Sequence, residues 1–263
     1  MIKLVIVFLV VVLIGYIALC TLLYSMQRSL LYYPTLPVTT PEAEPFLMHN
    51  GEELLRVWHV ERPGQDALIY FGGNAEDVAV NIPQFKRLFP NHSLYLLNYR
   101  GYGGSSGKPT EAGLHSDAQA LYSLVQKEHN NITLMGRSLG TGVAVNLASI
   151  KKIERLILVT PYDSIVNVAA GIYKFIPVHA LLKDTFDSVS HADKLKNPVL
   201  ILIAEHDELV PRKRTDNFVA ALNPNITNVQ VINDTDHNSI CTSPEFEQDI
   251  VAFMTQSPRR LVR

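Results

Sequence analysis

The pattern of hydrophobic positions divides the chain into two unequal parts. Residues 4–23 form an apolar run without a charged side chain. As a helix, this run would span about 30 Å, which is the thickness of one bilayer core. The chain beyond it alternates short β-branched runs with longer amphipathic ones. The pattern therefore predicts an N-terminal membrane anchor over residues 1–28 and a single globular domain over residues 29–263.

The globular part has the periodicity of alternating strands and helices. Several predicted strands, such as Val199–Ala204, are continuous apolar runs, which is typical of parallel strands with helices on both faces. We therefore predict an α/β fold with a mostly parallel central sheet flanked by helices. The predicted strands are 56–60, 67–71, 93–99, 132–135, 156–159, 199–204 and 229–232, and the predicted helices are 77–88, 111–128, 139–150, 212–222 and 244–255.

The N-terminal apolar run has an alternative interpretation as a cleaved signal peptide. Signal peptides usually have an apolar region of about 7 to 15 residues that ends at a small-x-small site. The run here is longer, and Ala18-Leu19-Cys20 fits such a site poorly. We therefore favour an uncleaved single-pass anchor. Lys3 and the amino terminus lie before the run and Arg28 alone lies after it, so charge bias favours a cytoplasmic N-terminus and a globular domain on the other side.

Composition narrows the classes of function. The balance of 23 Lys and Arg against 25 Asp and Glu lacks the positive surface that nucleic-acid binding needs, so we expect no nucleic-acid partner. With 47% hydrophobic and 18% charged residues, the chain can bury a large core and is not mainly disordered. Cys20 and Cys241 cannot form a disulfide framework or a four-ligand zinc site. Since neither a cluster of metal ligands nor a dinucleotide-binding fingerprint accompanies the strands, we expect neither a metal nor an organic cofactor.

A Gly-Arg-Ser-Leu-Gly segment, residues 136–140, carries the most specific chemical signal in the chain. It follows a predicted strand and opens the predicted helix 139–150, which is the context of a nucleophile elbow. Gly136 and Gly140 would leave room at so tight a turn, and the hydroxyl of Ser138 would project beyond the sheet. We predict that Ser138 is a catalytic nucleophile.

A serine hydroxyl is a weak nucleophile near neutral pH and needs a base that an acid holds in place. On this strand–turn–helix architecture the order along the chain is serine, acid, histidine. Asp207 follows one buried strand and His237 follows the last one. We predict His237 as general base and acid and Asp207 as the carboxylate that orients it. Asp163 is an alternative acid, and His206 is a competing histidine, although it precedes the last strand.

Acyl transfer also needs backbone donors for the developing oxyanion. They are usually the N–H after the nucleophile and one N–H from the loop after an early strand. These positions correspond to Leu139 and to the loop Gly72-Gly73-Asn74. We predict Leu139 and Asn74 as the donors, with Gly73 as the alternate to Asn74. The other interpretation of this loop is an ordinary glycine turn that caps the next helix.

Together, these segments resemble the α/β-hydrolases, and more narrowly the membrane-anchored branch that includes protein depalmitoylases, lysophospholipid lipases and many bacterial relatives. The resemblance is carried by residues 72–77, 98–107, 136–142, 160–164 and 206–211. It implies an α/β-hydrolase fold with a short cap at about residues 161–197. Two positions depart from the branch: Gly72 stands where it usually has a histidine, and Thr235-Asp236 stand where it usually has a glycine before the catalytic histidine.

The sequence thus predicts a membrane-anchored serine hydrolase that cleaves an acyl ester or thioester. An anchor would raise the effective concentration of lipid-borne substrates, which favours a lipid-like acyl group. Apolar residues of the cap, among them Tyr162, Ile172, Tyr173 and Phe175, would line an acyl-chain groove or pack on the domain. The alternatives are a peptidase or other hydrolase using the same triad, and an inactive membrane-tethered binding module.

Overall fold

A computed structural model describes residues 1–64 and 66–256 of the chain, so the end of the predicted globular domain, residues 257–263, lies outside the described residues. The strands are β1 (Glu44–Asn50), β2 (Glu53–Val60), β3 (Asp66–Phe71), β4 (Ser93–Leu97), β5 (Asn131–Arg137), β6 (Arg155–Val159), β7 (Val199–Ala204) and β8 (Thr227–Ile232). The helices are α1 (Ile2–Leu31), α2 (Ile82–Leu88), α3 (Glu111–Val125), α4 (Leu139–Ile150), α5 (Ile165–Ile172), α6 (Val178–Leu181), α7 (Arg212–Ala221) and α8 (Pro244–Thr255). Short 3₁₀ turns lie at Val78–Asn81, Val189–Lys194 and Ile240–Thr242.

The strands form one sheet in the order β1-β2-β4-β3-β5-β6-β7-β8. The pairs from β4 to β8 are parallel, whereas β1 and β2 join the sheet in antiparallel pairs. This confirms the predicted α/β fold with a mostly parallel sheet. The chain leaves β3 toward one edge and β5 toward the other, so the direction of winding reverses between them. Ligand sites in such sheets lie beyond the carboxyl ends of the strands at this reversal.

Both faces of the sheet are covered, as the continuous apolar strands predict. Along β3, Ile69 and Phe71 belong to one buried hydrophobic cluster, while Leu68 and Tyr70 belong to a second. Successive side chains of a strand point to opposite faces, so each cluster lies on one side of the sheet. The packing holds β3 and β5 rigidly side by side, and these two strands carry the loops of the candidate site.

The edge strand β1 is an element that the sequence pattern did not predict. It contains Pro45, and Met48 is its single buried residue. An edge strand buries few side chains, so it lacks the apolar run that marked the central strands. The prediction also began the next strand at residue 56, whereas β2 begins at Glu53.

Helix α1 contains the predicted anchor and continues to Leu31. None of its residues, all of which the structure describes, is buried, and the helix is long and apolar enough to cross a membrane. Signal sequences share these properties of length and composition. The division of the chain at residue 28 stays a prediction. Between β6 and β7, the segment expected to form a short cap contains α5, α6 and the turn Val189–Lys194.

Candidate active site

Ser138 lies at the sharp turn between β5 and α4, with φ 48° and ψ −116°. A positive φ is unfavourable for a residue with a side chain, so the surrounding structure must hold it in place. The Ser138 N–H donates to the Val159 carbonyl at 2.9 Å. A Cβ atom on Gly136 would lie 2.5 Å from the Gly140 carbonyl oxygen, and one on Gly140 would collide with the carbonyl of Phe71. The tight turn therefore requires glycine at both predicted elbow positions.

Ser138, His237 and Asp207 form a continuous hydrogen-bonded chain. The Ser138 Oγ lies 2.9 Å from His237 Nε2, and His237 Nδ1 lies 2.8 Å from Asp207 Oδ2. The side chains of His237 and Asp207 are 7% and 6% exposed. An ionised carboxylate can only accept, so Nδ1 of the neutral imidazole carries the proton and Nε2 is free to accept the serine proton. The arrangement can draw a proton from the Ser138 hydroxyl.

Asp207 is itself held by backbone groups. Its second oxygen, Oδ1, accepts hydrogen bonds from Leu209 N at 2.9 Å and Val210 N at 2.7 Å. These bonds fix the carboxylate while leaving Oδ2 for His237. The loop after β7 therefore positions the Asp207 carboxylate without using another side chain.

The two alternative residues lie outside this arrangement. The Asp163 carboxylate accepts from Arg214 at 3.0 Å and from the side-chain amides of Asn167 and Asn217 at 3.1 and 2.9 Å. His206 points into solvent, with 65% of its side chain exposed. The structure thus brings Asp207 and His237 to Ser138, and it engages Asp163 in a separate buried ion pair.

The loop at residues 72–74 lies beside the elbow, across the reversal point of the sheet. Gly73 N–H donates to Glu76 Oε2 at 2.7 Å, so this donor is already engaged. The N–H of Asn74 makes no hydrogen bond to any residue that the structure describes, and Leu139 is the first residue of α4, where an N–H has no acceptor within the helix. Asn74, Leu139 and Ser138 line the same cavity. The geometry favours Asn74 over Gly73 as the second donor.

The segment at residues 98–107 buttresses this loop. Tyr99 Oη donates to the Gly72 carbonyl at 2.8 Å, and Tyr102 Oη donates to Asn74 Oδ1 at 2.8 Å. Burial raises the pKa of both phenols, so they stay protonated and able to donate at neutral pH. The Asn74 side chain is also bound from the other side, since its Nδ2 donates to the Leu31 carbonyl at 2.6 Å. The end of α1 thus forms part of the frame around the site.

Glu76 and Arg137 are functional candidates that the sequence reasoning missed. Glu76 Oε2 accepts from Arg137 Nη1 at 2.9 Å as well as from Gly73 N, and Arg137 Nη2 donates to the His237 carbonyl at 3.2 Å. Burial is the largest single influence on the pKa of Arg137 and lowers it, but the charge and hydrogen bond of Glu76 together with the nearby Cys241 and Tyr70 raise that pKa overall. Arg137 therefore stays charged, and the contacts of Glu76 and Arg137 tie the 72–74 loop, the elbow and the histidine loop together. Both residues lie inside the motifs at residues 72–77 and 136–142. The charged Arg137 directly before Ser138 was the signal in the sequence that could have identified this pair.

A cavity of about 160 Å³ opens at Ser138 and His237. Its remaining wall is largely apolar and is formed by Leu31, Tyr162, Ile165, Val168, Leu209 and Val210. Ile165 and Val168 are one turn apart on α5, so they present one face to the cavity. Of the apolar cap residues expected at a groove, Tyr162 lies there, whereas Ile172, Tyr173 and Phe175 are exposed.

Possible metal ligands come together elsewhere. Among the described residues, one atom each from Glu205, His206 and Asp234 lie within 4.8 Å of one another, and all three residues are exposed. Asp234 N–H already donates to the Glu205 carboxylate at 2.9 Å. The cluster does not contact the Ser138–His237 pair, and nothing in its surroundings favours an ion over ordinary loop hydrogen bonding.

Known proteins resemble this chain in sequence and in fold, although no family model matches it. An uncharacterized protein of Mycobacterium tuberculosis (strain CDC 1551 / Oshkosh) is 31% identical over 218 residues, which cover 76% of this chain and 77% of that protein. The alpha/beta hydrolase domain-containing protein WAV2 of Arabidopsis thaliana is 26% identical over 248 residues, covering 80% of each. The solved structure of the Pyrococcus furiosus esterase Pf2001 superposes with a TM-score of 0.70 at 16% identity, over 85% of this chain and 97% of that one. The last likeness concerns the fold alone.

Proposed function

We propose, since this chain belongs to the α/β-hydrolase family, that it is a serine hydrolase that cleaves acyl esters or thioesters through an acyl-enzyme intermediate. The observation that carries the proposal is the hydrogen-bonded chain from Ser138 Oγ through His237 to Asp207, with distances of 2.9 and 2.8 Å. A nucleophile, a base and an orienting acid within hydrogen-bond reach are what acyl transfer requires.

In the first half of the reaction, Ser138 Oγ attacks the acyl carbonyl while its proton moves to His237 Nε2. Asp207 stabilises the imidazolium that results, and the N–H groups of Asn74 and Leu139 hold the oxyanion. Collapse of the tetrahedral intermediate breaks the bond to the leaving alcohol or thiol, which takes the proton from His237. The acyl group is then bound to Ser138.

In the second half, water takes the place of the leaving group. His237 removes a proton from the water as its oxygen attacks the acyl-enzyme, and the same N–H donors hold the second oxyanion. The proton returns to Ser138 Oγ as the carboxylic acid leaves. Every proton movement is assigned to His237, so the proposal requires neither a metal nor an organic cofactor.

The acyl side of the substrate is proposed to be lipid-like and membrane-borne. The cavity beside Ser138 has apolar walls, including Leu31 at the end of α1. In the proposed topology, α1 is an uncleaved single-pass anchor with its N-terminus in the cytoplasm and the hydrolase domain on the opposite side. Such an anchor confines the cavity near the bilayer, where acyl esters are concentrated.

An active-site fluorophosphonate tests the proposal, because this reagent reacts with an activated serine. We expect the full chain in detergent to be labelled, and the Ser138→Ala and His237→Ala variants to remain unlabelled. Ser149→Ala is the matched control, since Ser149 is also on α4 but lies outside the chain of Ser138, His237 and Asp207; its hydroxyl donates to the Asn146 carbonyl at 2.7 Å and lies 3.4 Å from His191 Nδ1. It should be labelled like the wild type. A folded wild type that stays unlabelled would instead favour an inactive binding module.

A further inference from the structure

The cap carries an exposed apolar tip. Ile172, Tyr173 and Phe175 are 66%, 41% and 89% exposed, although Ile165 and Val168 on the same segment face the cavity. We call residues 172–175 the cap tip. Clustered apolar side chains this exposed are unfavourable in water and mark a surface that contacts something apolar.

The cap tip lies against the anchor helix. Tyr16 Oη on α1 donates to the Phe175 carbonyl at 2.8 Å. The contact uses the backbone of Phe175, so its ring remains exposed beside the helix. The cap tip and the apolar run of α1 thus lie side by side.

A second set of contacts fixes α1 to the cap nearer the body of the domain. Gln27 Oε1 accepts from Lys183 N at 2.7 Å, and Arg28 Nε pairs with Asp184 Oδ2 at 2.9 Å. Asp184 is buried, with 5% of its side chain exposed, so this ion pair is more than a surface contact. With attachments at Tyr16 and at Arg28, the helix cannot swing away from the cap tip without breaking them.

This attachment sets the depth of the cap tip. Tyr16 lies inside the apolar run of residues 4–23. The helix rises about 10 Å from Tyr16 to Leu23 at 1.5 Å per residue, and the side chains of a helix lean toward its N-terminus. If residues 4–23 span the bilayer core, then the carbonyl bonded to Tyr16 lies roughly 10 Å inside the boundary on the side of the domain. Apolar groups of peripheral segments reach a similar depth of about 5–10 Å.

We propose that the cap tip inserts into the lipid leaflet adjoining the domain and that acyl chains enter the site along α5. This inference rests on the proposed hydrolase function and extends it to the route of the substrate. Ile165, Val168 and Ile172 follow one another at helical spacing, so one apolar face of α5 leads from the cavity to the cap tip. Lys174 can extend its amine toward the headgroups while its stem stays among the lipids. The occupant of this surface is thus a lipid bilayer.

Depth-dependent quenching tests the insertion. The full chain carrying Phe175→Trp is reconstituted into phosphatidylcholine vesicles with and without brominated acyl chains. The natural Trp58 is buried at 1% exposure and gives a constant background. Val251→Trp on α8 is the matched control, since Val251 is an exposed apolar residue, at 45%, on a helix that packs on the sheet. We expect strong quenching for Phe175→Trp and little for Val251→Trp, and equal weak quenching of both would overturn the insertion.

Substrate selectivity tests the route. In Phe175→Ser and Ile172→Ser, hydrolysis of a long-chain acyl ester presented in vesicles should fall roughly tenfold, given the apolar surface lost from the contact. Hydrolysis of a short, water-soluble ester should stay within about twofold, with Val251→Ser unchanged on both. Equal losses on both esters would overturn the lipid route. Failure of the wild type on both esters would overturn the proposed function instead, while the quenching result would still decide the insertion.

Discussion

Replacing Glu76 with glutamine should impair catalysis, although Glu76 does not contact the cavity at Ser138. The carboxylate accepts four hydrogen bonds: Gly73 N at 2.7 Å, Arg137 Nη1 at 2.9 Å, and Tyr70 Oη and Asn81 Nδ2 at 2.6 Å each. Glutamine keeps the shape of the side chain but removes the charge, and it replaces one acceptor oxygen with a donor. We expect the amide oxygen to stay on Gly73 and Arg137, because the Tyr70 hydroxyl can turn and the Asn81 amide can flip, so that both accept from the new NH₂.

The magnitude follows from the burial of the ion pair. Removing one partner of a buried pair costs about 3 to 5 kcal/mol. The Arg137 side chain keeps 16% exposure and a neutral acceptor in the variant, so we expect a loss at or just below the low end of this scale, about 2 to 3 kcal/mol of unfolding free energy. Loss of a whole oxyanion donor costs about 10² to 10³ in kcat. Since the loop is loosened and not removed, we expect kcat to fall about tenfold with little change in KM.

The assay combines kcat and KM on a short soluble ester with urea denaturation and titration of active sites by a fluorophosphonate. Glu247→Gln is the control, because Glu247 pairs with Arg87 at 3.0 Å on the surface, with the two side chains 37% and 63% exposed. It should change stability by less than about 1 kcal/mol and leave kcat unchanged. If Glu76→Gln loses stability but keeps the wild-type kcat per titrated site, the pair is structural only and the positioning role is refuted.

Three further outcomes follow from the structure. Asp207→Asn should lower kcat by about 10³- to 10⁴-fold, because an amide can hold the wrong tautomer of His237. Asp163→Asn should instead lower the urea midpoint of unfolding and leave most of kcat intact. Burial lowers the pKa of His115 from 6.5 to about 4, so the unfolded chain binds more protons than the folded chain between these pH values. The free energy of unfolding, measured by urea denaturation, should therefore fall by up to about 3 kcal/mol as the pH drops from 6.5 to 4. The fall should be smaller in His115→Leu. Burial raises the pKa of the Cys241 thiol to about 11, so iodoacetamide at pH 8 should alkylate Cys241 far more slowly in the folded than in the unfolded chain, followed by mass spectrometry.

The strongest local patterns predicted the central elements closely. The predicted bounds of α4 and β7 match Leu139–Ile150 and Val199–Ala204. The order of Ser138, Asp207 and His237 along the chain also named the three side chains that the structure brings together, because each lies in the turn or loop after a parallel strand. The carboxyl ends of parallel strands lie at one edge of the sheet, so residues that follow different strands along the chain lie close together in the fold.

Contacts that depend on the approach of distant segments could not be predicted in this way. Nothing in the composition around Glu76 indicates that Arg137 is its partner, because both residues are charged and would ordinarily be expected at the surface. The exposure of Phe175 and its place beside Tyr16 follow from how α1 lies against the cap. A helix that buries none of its own residues has no pattern that marks the side facing the domain.

The loop before His237 departs from the resembled branch, which usually has a glycine there, but its conformation explains the difference. The left-handed residue of this loop is Asp234, with φ 54°, one position before Thr235-Asp236, and neither Thr235 nor Asp236 has a positive φ that would favour glycine; aspartate tolerates the left-handed conformation because its short side chain can bond locally. Thr235 Oγ1 donates to the Ile232 carbonyl at 2.7 Å, and Asp236 Oδ1 accepts from Asn238 N and Ser239 N at 2.8 Å each. The turn is therefore held on both sides of His237 by side-chain to backbone bonds.

The change at Gly72 has a similar physical account. A Cβ atom at Gly72 would lie 2.6 Å from Val78 Cγ1, so a histidine would not fit unless Val78 moved. The loop takes its shape from other contacts, since Tyr99 holds the Gly72 carbonyl and Glu76 holds the Gly73 N–H. Neither contact needs a side chain at position 72, and Asn74 lines the cavity that contains Ser138. Gly72 therefore gives no support to the inactive-module alternative, because the groups that would stabilise an oxyanion are backbone groups held independently of that position.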